Sequence, residues 1–481
     1  MSWDTLNLVA GNSLSASRPD PYRGALSIRA DDWWTKTVTA TEEAVGGRGN
    51  SQRTGDAERR PWRLGTRIAF RFCVTYFGLF CLWFAQITFA FTGVFAQWLP
   101  DRAILWQMVA LAPIARWVGQ HVFGVDAVLH VDSGSGDQAA IWVMVFCGLV
   151  IAVVGTVVWS VLDRRRTSYP KLAAWFFVFL RLCLGGQMLF YGFAKVIPTQ
   201  MPAPSLSALL QPYGDHSPAS VLWLQVGSSY PYEIFLGAVE VLAGILLFLP
   251  RTAALGALLS FLGMGQVFVL NMTYDVPVKI LSFHLVCMSL VLLTPHLRRL
   301  ANVFVLHRTL EPVTYPPLFE TPRANRIAAK VQALLGIWVL IGCVMLSWQG
   351  WREYGEGRVK PDLYGVWSVT EFRLDGKPRA PMLTDELRWQ RVVFDEPELL
   401  TYQRMDGELV PVPAHFDNTA GTLELPGTAT FGVERLSQDQ LRLDGHLDGR
   451  PVAMSLQRMD LNVFPLRTRG FNWVQEYPYF R

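Results

Sequence analysis

The chain has 481 residues, 51% of them hydrophobic and 17% charged, with a formal net charge of +4. So apolar a composition excludes an ordinary soluble domain and favours a polytopic membrane protein. The small net charge gives no footing for nucleic acid as a partner.

Residues 1–66 are polar, lack a signal peptide and read as a flexible cytoplasmic tail, in which Trp33 and Trp34 are candidates to touch a membrane surface. Apolar runs then lie within 69–99, 140–161, 172–194, 232–250, 252–272, 277–294 and 328–347. Each is near the roughly 20 residues a bilayer requires, so a helical transmembrane domain of about seven spans is expected over 67–348. Only Pro250–Arg251 separates the fourth run from the fifth, which calls for a tight turn.

The cations fall on alternate connections. Arg59, Arg60, Arg63 and Arg67 precede the first run, and Arg164, Arg165, Arg166 and Lys171 follow the second. Arg251 lies between the fourth and fifth, and Arg298, Arg299, Arg308, Arg323, Arg326 and Lys330 between the sixth and seventh. The loops 100–139 and 196–231 carry only Arg102 and Arg116. This bias places the N-terminus in the cytoplasm of a bacterial inner (plasma) membrane and everything after Trp348 outside it. Cys73, Cys81, Cys147, Cys183, Cys287 and Cys343 all fall in the apolar runs and form no C-x-x-C, so they read as packing residues and thiol chemistry is not expected.

The third run, "LRLCLGGQMLFYGFAKV", carries charge where lipid would exclude it. Arg181, Gly185, Met188, Gly192 and Lys195 share one helix face, and Gln187, Tyr191 and Lys195, each four apart, form a flanking row. The fourth run repeats the charge-and-glycine spacing with Glu233, Gly237, Glu240 and Gly244. Set antiparallel, the glycines Gly185, Gly192, Gly237 and Gly244 would let the two helices approach closely. Arg181 and Glu240 would meet near mid-bilayer, and Lys195 and Glu233 near the outer surface, compensating charges that are costly to bury alone. From the fifth and sixth runs, Gln266, Asn271, Tyr274, Asp275 and Lys279 sit at the outer rim, with His284 deeper. The expectation is an outward-opening polar cavity lined by Arg181, Gln187, Lys195, Glu233, Glu240 and His284. The histidines are scattered and show no helical H-x-x-x-H or H-x-x-E spacing, so no metal is expected.

From residue 361 the pattern changes to short alternating runs such as "VWSVTEFRL", "WQRVVFDE" and "QLRLDGHL", separated by "LDGKP", "MDGE", "NTAG" and "LDGRP". These hairpin signals predict an antiparallel meander of seven or eight strands, closed into a small barrel to hide its edges. The β-rich extracytoplasmic domain is set at 349–481. Its opening "LYGVWSV", with Gly365 and Trp367, resembles the G-x-W start of lipocalin-type barrels. Such a barrel either holds a lipophilic ligand or is filled by its own side chains, and both remain open here.

The run "RLCLGGQMLFYGFAKV" followed by "EVLAGILLFLPR" resembles the DoxX/DoxD-like membrane family over about residues 172–294. The family pattern falls on Arg181, Gly185, Gly192, Lys195, Glu240 and Gly244. The resemblance implies a four-helix core and a link to quinone-coupled oxidation or membrane redox complexes. The two preceding runs, the seventh run and the exported barrel are additions to that core. Two functions are expected, with a transporter ranked behind them. One is a quinone-linked or redox-associated membrane subunit with a membrane or exported redox partner protein. The other is a non-enzymatic, membrane-anchored binding module whose barrel takes a lipophilic ligand or a partner protein. A quinone is the candidate cofactor; no haem-ligand pair, iron–sulfur cysteine set or dinucleotide glycine motif is present.

Overall fold

A computed structural model describes residues 61–308, 317–417 and 419–480. The expectations for residues 1–60, Trp33 and Trp34 included, lie outside these. Among the described residues seven helices are long and apolar enough to cross a membrane.

The first apolar run is not one helix. Helix α1 (Leu64–Trp83) stops at Phe84, whose ψ of 89° is not helical. A five-residue helix α2 (Ala85–Phe89) and a 3-10 stretch, Ala90–Trp98, follow, the latter interrupted at Gly93 with φ 58°. Broken backbone at membrane depth needs partners for its freed carbonyls. Two side chains provide them: Gln187 Nε2 donates to Gln86 O at 3.0 Å, and Trp338 Nε1 donates to Phe91 O at 3.1 Å. Gly93 also has no room for a side chain, since a Cβ there would overlap the Trp338 ring.

The connection 100–139, expected as a loop, folds as helix α3 (Trp106–Val118) continuing into a π turn, Gly119–Phe123. Helix α4 is Ala139–Leu162 and α5 is Pro170–Val196. The loop 196–231 contains α6 (Pro218–Gly227), begun by Ser217, whose Oγ accepts from Ser220 N at 3.2 Å. Helices α7 (Tyr230–Phe248) and α8 (Ala253–Thr273) are joined by a turn in which Thr252 Oγ1 donates to Leu246 O at 3.0 Å. Helix α9 (Lys279–Leu293), the short α10 (Leu297–Phe304) and the long α11 (Pro322–Glu353) complete the bundle.

Helix α5 is its centre. Buried residues make up 67% of its membrane-length stretch, against 22% for α1. Helices α7, α8 and α9 pack around it, α1 and α4 cover one side, and α11 lies against α5 and the broken stretch 90–98 on another. Asp137, in the α3–α4 connection, receives the first N–H groups of α9: Lys279 N at 2.8 Å and Ile280 N at 2.9 Å. Such capping satisfies donors that a helix start leaves open.

The C-terminal sheet is an antiparallel, nearly closed barrel. Its strands are β1 (Gly365–Leu374), β2 (Lys377–Pro378), β3 (Trp389–Glu396), β4 (Leu399–Arg404), β5 (Leu409–Pro413) and β6 (His415–Asp417). β7 (Thr422–Leu425), β8 (Ala429–Arg435), β9 (Gln440–Leu447) and β10 (Arg450–Arg458) follow. The order is β5-β4-β3-β1-β10-β9-β8-β7-β6, with the short β2 paired to β1, and the β1–β10 pairing brings the ends together. β5 and β6 are two halves of one bent strand: the first pairs with β4, the second with β7, and the bend is Ala414. The sequence runs did not include this strand, because Pro411 and Pro413 obscure its alternation. Asp448–Gly449, with φ of 49° and 74°, makes the tight turn that the "LDGRP" signal predicts.

The barrel interior is filled by its own side chains. Trp367, Phe372 and Phe431 are fully buried among Trp389, Leu400, Leu441, Leu443 and Met454. Trp367 Nε1 donates to Leu363 O at 2.9 Å, and its cross-strand partner Arg458 donates to Tyr364 O at 2.9 Å.

Candidate functional site

The glycines determine how α5 meets α7. A Cβ on Gly237 would lie 2.6 Å from Gly192 O, and one on Gly244 would lie 3.1 Å from Gly185 O. Gly192 thus faces Gly237 and Gly185 faces Gly244, so the antiparallel register is set by backbone-to-backbone contact.

That register decides which charges meet. Lys195 Nζ donates to both oxygens of Glu240, at 3.0 and 2.7 Å, with the two side chains only 7% and 6% exposed. The expected pairs Arg181–Glu240 and Lys195–Glu233 do not form. Counted from the glycine contacts, Lys195 and Glu233 stand at nearly the same level, while Lys195 and Glu240 are offset by about 9 Å along the axis. Helical side chains lean toward their own N-terminus. In an antiparallel pair Lys195 therefore leans inward and Glu240 leans outward to meet it, whereas Lys195 and Glu233 lean apart. Arg181 lies about 12 Å from the level of Glu240 and leans further away. It donates instead to Gln332 Oε1 of α11, a partner from the seventh span that the stripe did not include.

Glu233 is fully buried. One oxygen accepts from Met201 N at 3.1 Å, in the linker after α5, and Oε2 has no hydrogen-bond partner. Gln187 is likewise fully buried; its Nε2 fills the carbonyl of Gln86 and its Oε1 has no partner. Gln86 Nε2 donates to the Tyr191 hydroxyl at 2.6 Å, and Lys195 Nζ lies 5.7 Å from the centre of the Tyr191 ring. Gln187, Tyr191 and Lys195 thus form a continuous polar row ending on Glu240.

The other sequence-derived residues go elsewhere. His284 turns to α1: one ring nitrogen is 2.7 Å from the Tyr76 hydroxyl, the other 2.6 Å from Ile280 O, and the ring stacks on Phe80 at 3.9 Å. Asn271 Nδ2 donates to Ser282 Oγ at 3.0 Å, joining α8 to α9. Lys279 pairs with Asp275 at 2.9 Å and reaches Asp137 at 3.7 Å. Tyr274 packs beside Leu222, Val226 and Val276, and Gln266 is exposed on α8. Among the described residues no cluster of His, Cys, Asp or Glu has the grouping a metal ion needs.

A cavity of about 700 Å³ lies where bundle and barrel meet, lined among others by Pro202, Tyr230, Glu353, Arg358, Asp395 and Arg467. None of the expected cavity residues lines it; Glu233 is one helical turn beyond Tyr230. The barrel is seated on the linker after α5. Leu206, 1% exposed, packs against Val366 and Val393, and its N–H donates to Asp395 Oδ2 at 2.8 Å. Arg358 Nη2 holds the other oxygen of Asp395 at 2.6 Å.

Cys81, in the last turn of α1, and Cys183 of α5 lie buried in the same hydrophobic core. All six cysteines are free, and these two are 0% and 4% exposed.

No family model matches the chain, and no solved structure matches it significantly. The uncharacterized protein YwoB of Bacillus subtilis (strain 168) is 34% identical over 126 residues, a stretch that is 26% of this chain and 79% of YwoB. The shared stretch is most of YwoB and about a quarter of this chain. On that identity and coverage, the chain belongs to the same family as YwoB.

Proposed function

We propose that the chain is a quinone-linked membrane subunit, in which the row Gln187–Tyr191–Lys195 and the paired Glu240 take the polar head of a lipophilic quinone. The observation that carries this reading is the presence of two fully buried acceptors without partners, Gln187 Oε1 and Glu233 Oε2, on either side of a buried ion pair. A structural clamp needs only the pair, and buried polar atoms are normally satisfied. Unfilled acceptors beside a lysine and a tyrosine suit a group that presents carbonyls in one state and hydroxyls in the other.

A quinone, when bound, supplies two-electron, two-proton redox chemistry. The chain's residues supply the setting. Lys195 and Tyr191 offer donors to carbonyl oxygen, and Gln187 and Glu233 offer acceptors to hydroxyl hydrogen. Glu240 pairs with Lys195 in a site that excludes water, and Glu233, hydrogen-bonded to the linker under the barrel, stands between the row and the junction cavity as a proton carrier. The Lys/Arg bias orients the barrel outside the membrane, where it would receive an exported redox partner. The resemblance to DoxX/DoxD-like proteins points the same way. The filled barrel interior speaks against the alternative of a lipophile held inside it.

The test is native purification of the full chain in mild detergent, with extraction and mass spectrometry of co-purifying lipophiles. Wild type is compared with Gln187→Leu, Lys195→Ala and Glu240→Gln, each checked for folding. Quinone retained by wild type and depleted from folded variants is the expected result. Quinone no richer in wild type than in an unrelated membrane protein prepared alongside overturns the proposal.

A further inference from the structure

We infer that the C-terminal segment 470–480 lies in the headgroup layer of the bilayer on the barrel's side, a second anchor that holds the barrel to the lipid surface. This inference does not depend on the quinone reading. The segment exposes Phe471, Trp473, Val474, Tyr477 and Phe480, with Trp473 and Phe480 at 90% and 92%. Among the described residues its ring contacts and side-chain hydrogen bonds are local: Phe471 meets Trp473, Arg469 lies over the Tyr479 ring, and Asn472 and Gln475 bond within 469–475. None of its residues belongs to a core of the barrel or the bundle. So concentrated an apolar surface, left bare, marks an interaction site.

The place where the segment begins identifies its partner. Leu466 and Arg467, on the turn that leads into it, line the junction cavity together with Tyr230 and Glu353. Tyr230 is the first residue of α7 and Glu353 the last of α11, so the chain leaves the barrel where two spans emerge from the membrane. Residues 470–480, when extended, reach up to about 36 Å, ample to lie along that surface. The composition fits the same occupant. Trp and Tyr carry a polar N–H or O–H on an apolar ring and concentrate at the membrane–water boundary. Glu476 is the one charged side chain between Gly470 and Phe480, so little charge has to leave water. The segment has no regular secondary structure, which the hydrated headgroup layer tolerates and the hydrocarbon core does not, so the rings sit shallow. Anchored there, the barrel cannot swing away from the bilayer about the connection 354–364.

The experiment places the full chain in nanodiscs of phosphatidylethanolamine and phosphatidylglycerol that carry a photoactivatable lipid, its diazirine near either the headgroup or the acyl terminus. Adducts are mapped by peptide mass spectrometry, and the water exposure of the same rings by hydroxyl-radical footprinting. The expected result is adducts on 470–480 from the shallow probe, few from the deep one, and weak oxidation of Trp473 and Tyr477. Phe471→Ser, Trp473→Ser, Tyr477→Ser and Phe480→Ser combined should remove these adducts, while those on α7 and α11 persist and thermal unfolding of the chain is unchanged. Absent adducts with readily oxidised rings put the segment in water. Absent adducts with protected rings put it against protein, a second copy or another part of this chain. Adducts that survive the four substitutions show mere proximity to lipid without insertion of the rings. Any of these three results overturns the inference.

Discussion

The Lys195–Glu240 pair permits a sharp test of how charge is held in this bundle. At an N···O distance of 2.7 Å and an effective dielectric of about 20, the Coulomb attraction is about 6 kcal/mol. Desolvation of both groups offsets much of it, but Glu240→Gln leaves Lys195 buried without its counter-charge. The Gly192–Gly237 contact beside it leaves little room for hydrating water. Breaking such a pair costs about 3–5 kcal/mol, whereas replacing both partners with apolar groups of similar size is close to neutral. The prediction is therefore non-additive: Glu240→Gln destabilises by about 3 kcal/mol or more, and Lys195→Met with Glu240→Leu recovers most of it. Reversible unfolding in mixed micelles, read by intrinsic fluorescence, measures each variant. A single variant costing under about 1 kcal/mol, or a double variant as unstable as the single one, refutes the argument, because the pair would then be solvated rather than buried.

Gly237→Ala places a methyl against Gly192 O and Lys195 Cβ, 2.6 and 2.7 Å from the new carbon. It should cost about 1–3 kcal/mol by prying apart α5 and α7. Gly263→Ala on α8, where nothing lies within 4 Å, should stay within about 0.5 kcal/mol in the same unfolding assay. Leu206→Ala empties the contact with Val366 and Val393 and should weaken barrel seating by about 2–5 kcal/mol. Limited proteolysis of the full chain should then cut the connection 354–364 faster, with the barrel itself still resistant; an unchanged cleavage rate would show that Arg358 and Asp395 suffice.

Much of this architecture follows from the sequence alone, for physical reasons that act locally. A bilayer fixes the length of an apolar helix, so seven runs announced seven spans. Asp-Gly pairs such as Asp448–Gly449 announced hairpins, because few residues accept the left-handed conformation a tight turn needs. The glycine and charge spacings on α5 and α7 likewise marked two faces that belong together.

What the tertiary structure decided is who meets whom. Lys195 met Glu240 rather than Glu233 because Gly–Gly contacts set the axial register and side chains lean toward their helix N-termini. Arg181 met Gln332 because a seventh span lies against α5. His284 went to Tyr76 through packing of the first span. The break between Phe84 and Gly93 carries no proline and reads as unbroken apolar sequence; it survives because Gln187 and Trp338 supply the hydrogen bonds the broken backbone lacks. Spacing within one helix can show which residues share a face, but the depth and rotation at which two faces meet depend on contacts distant in sequence.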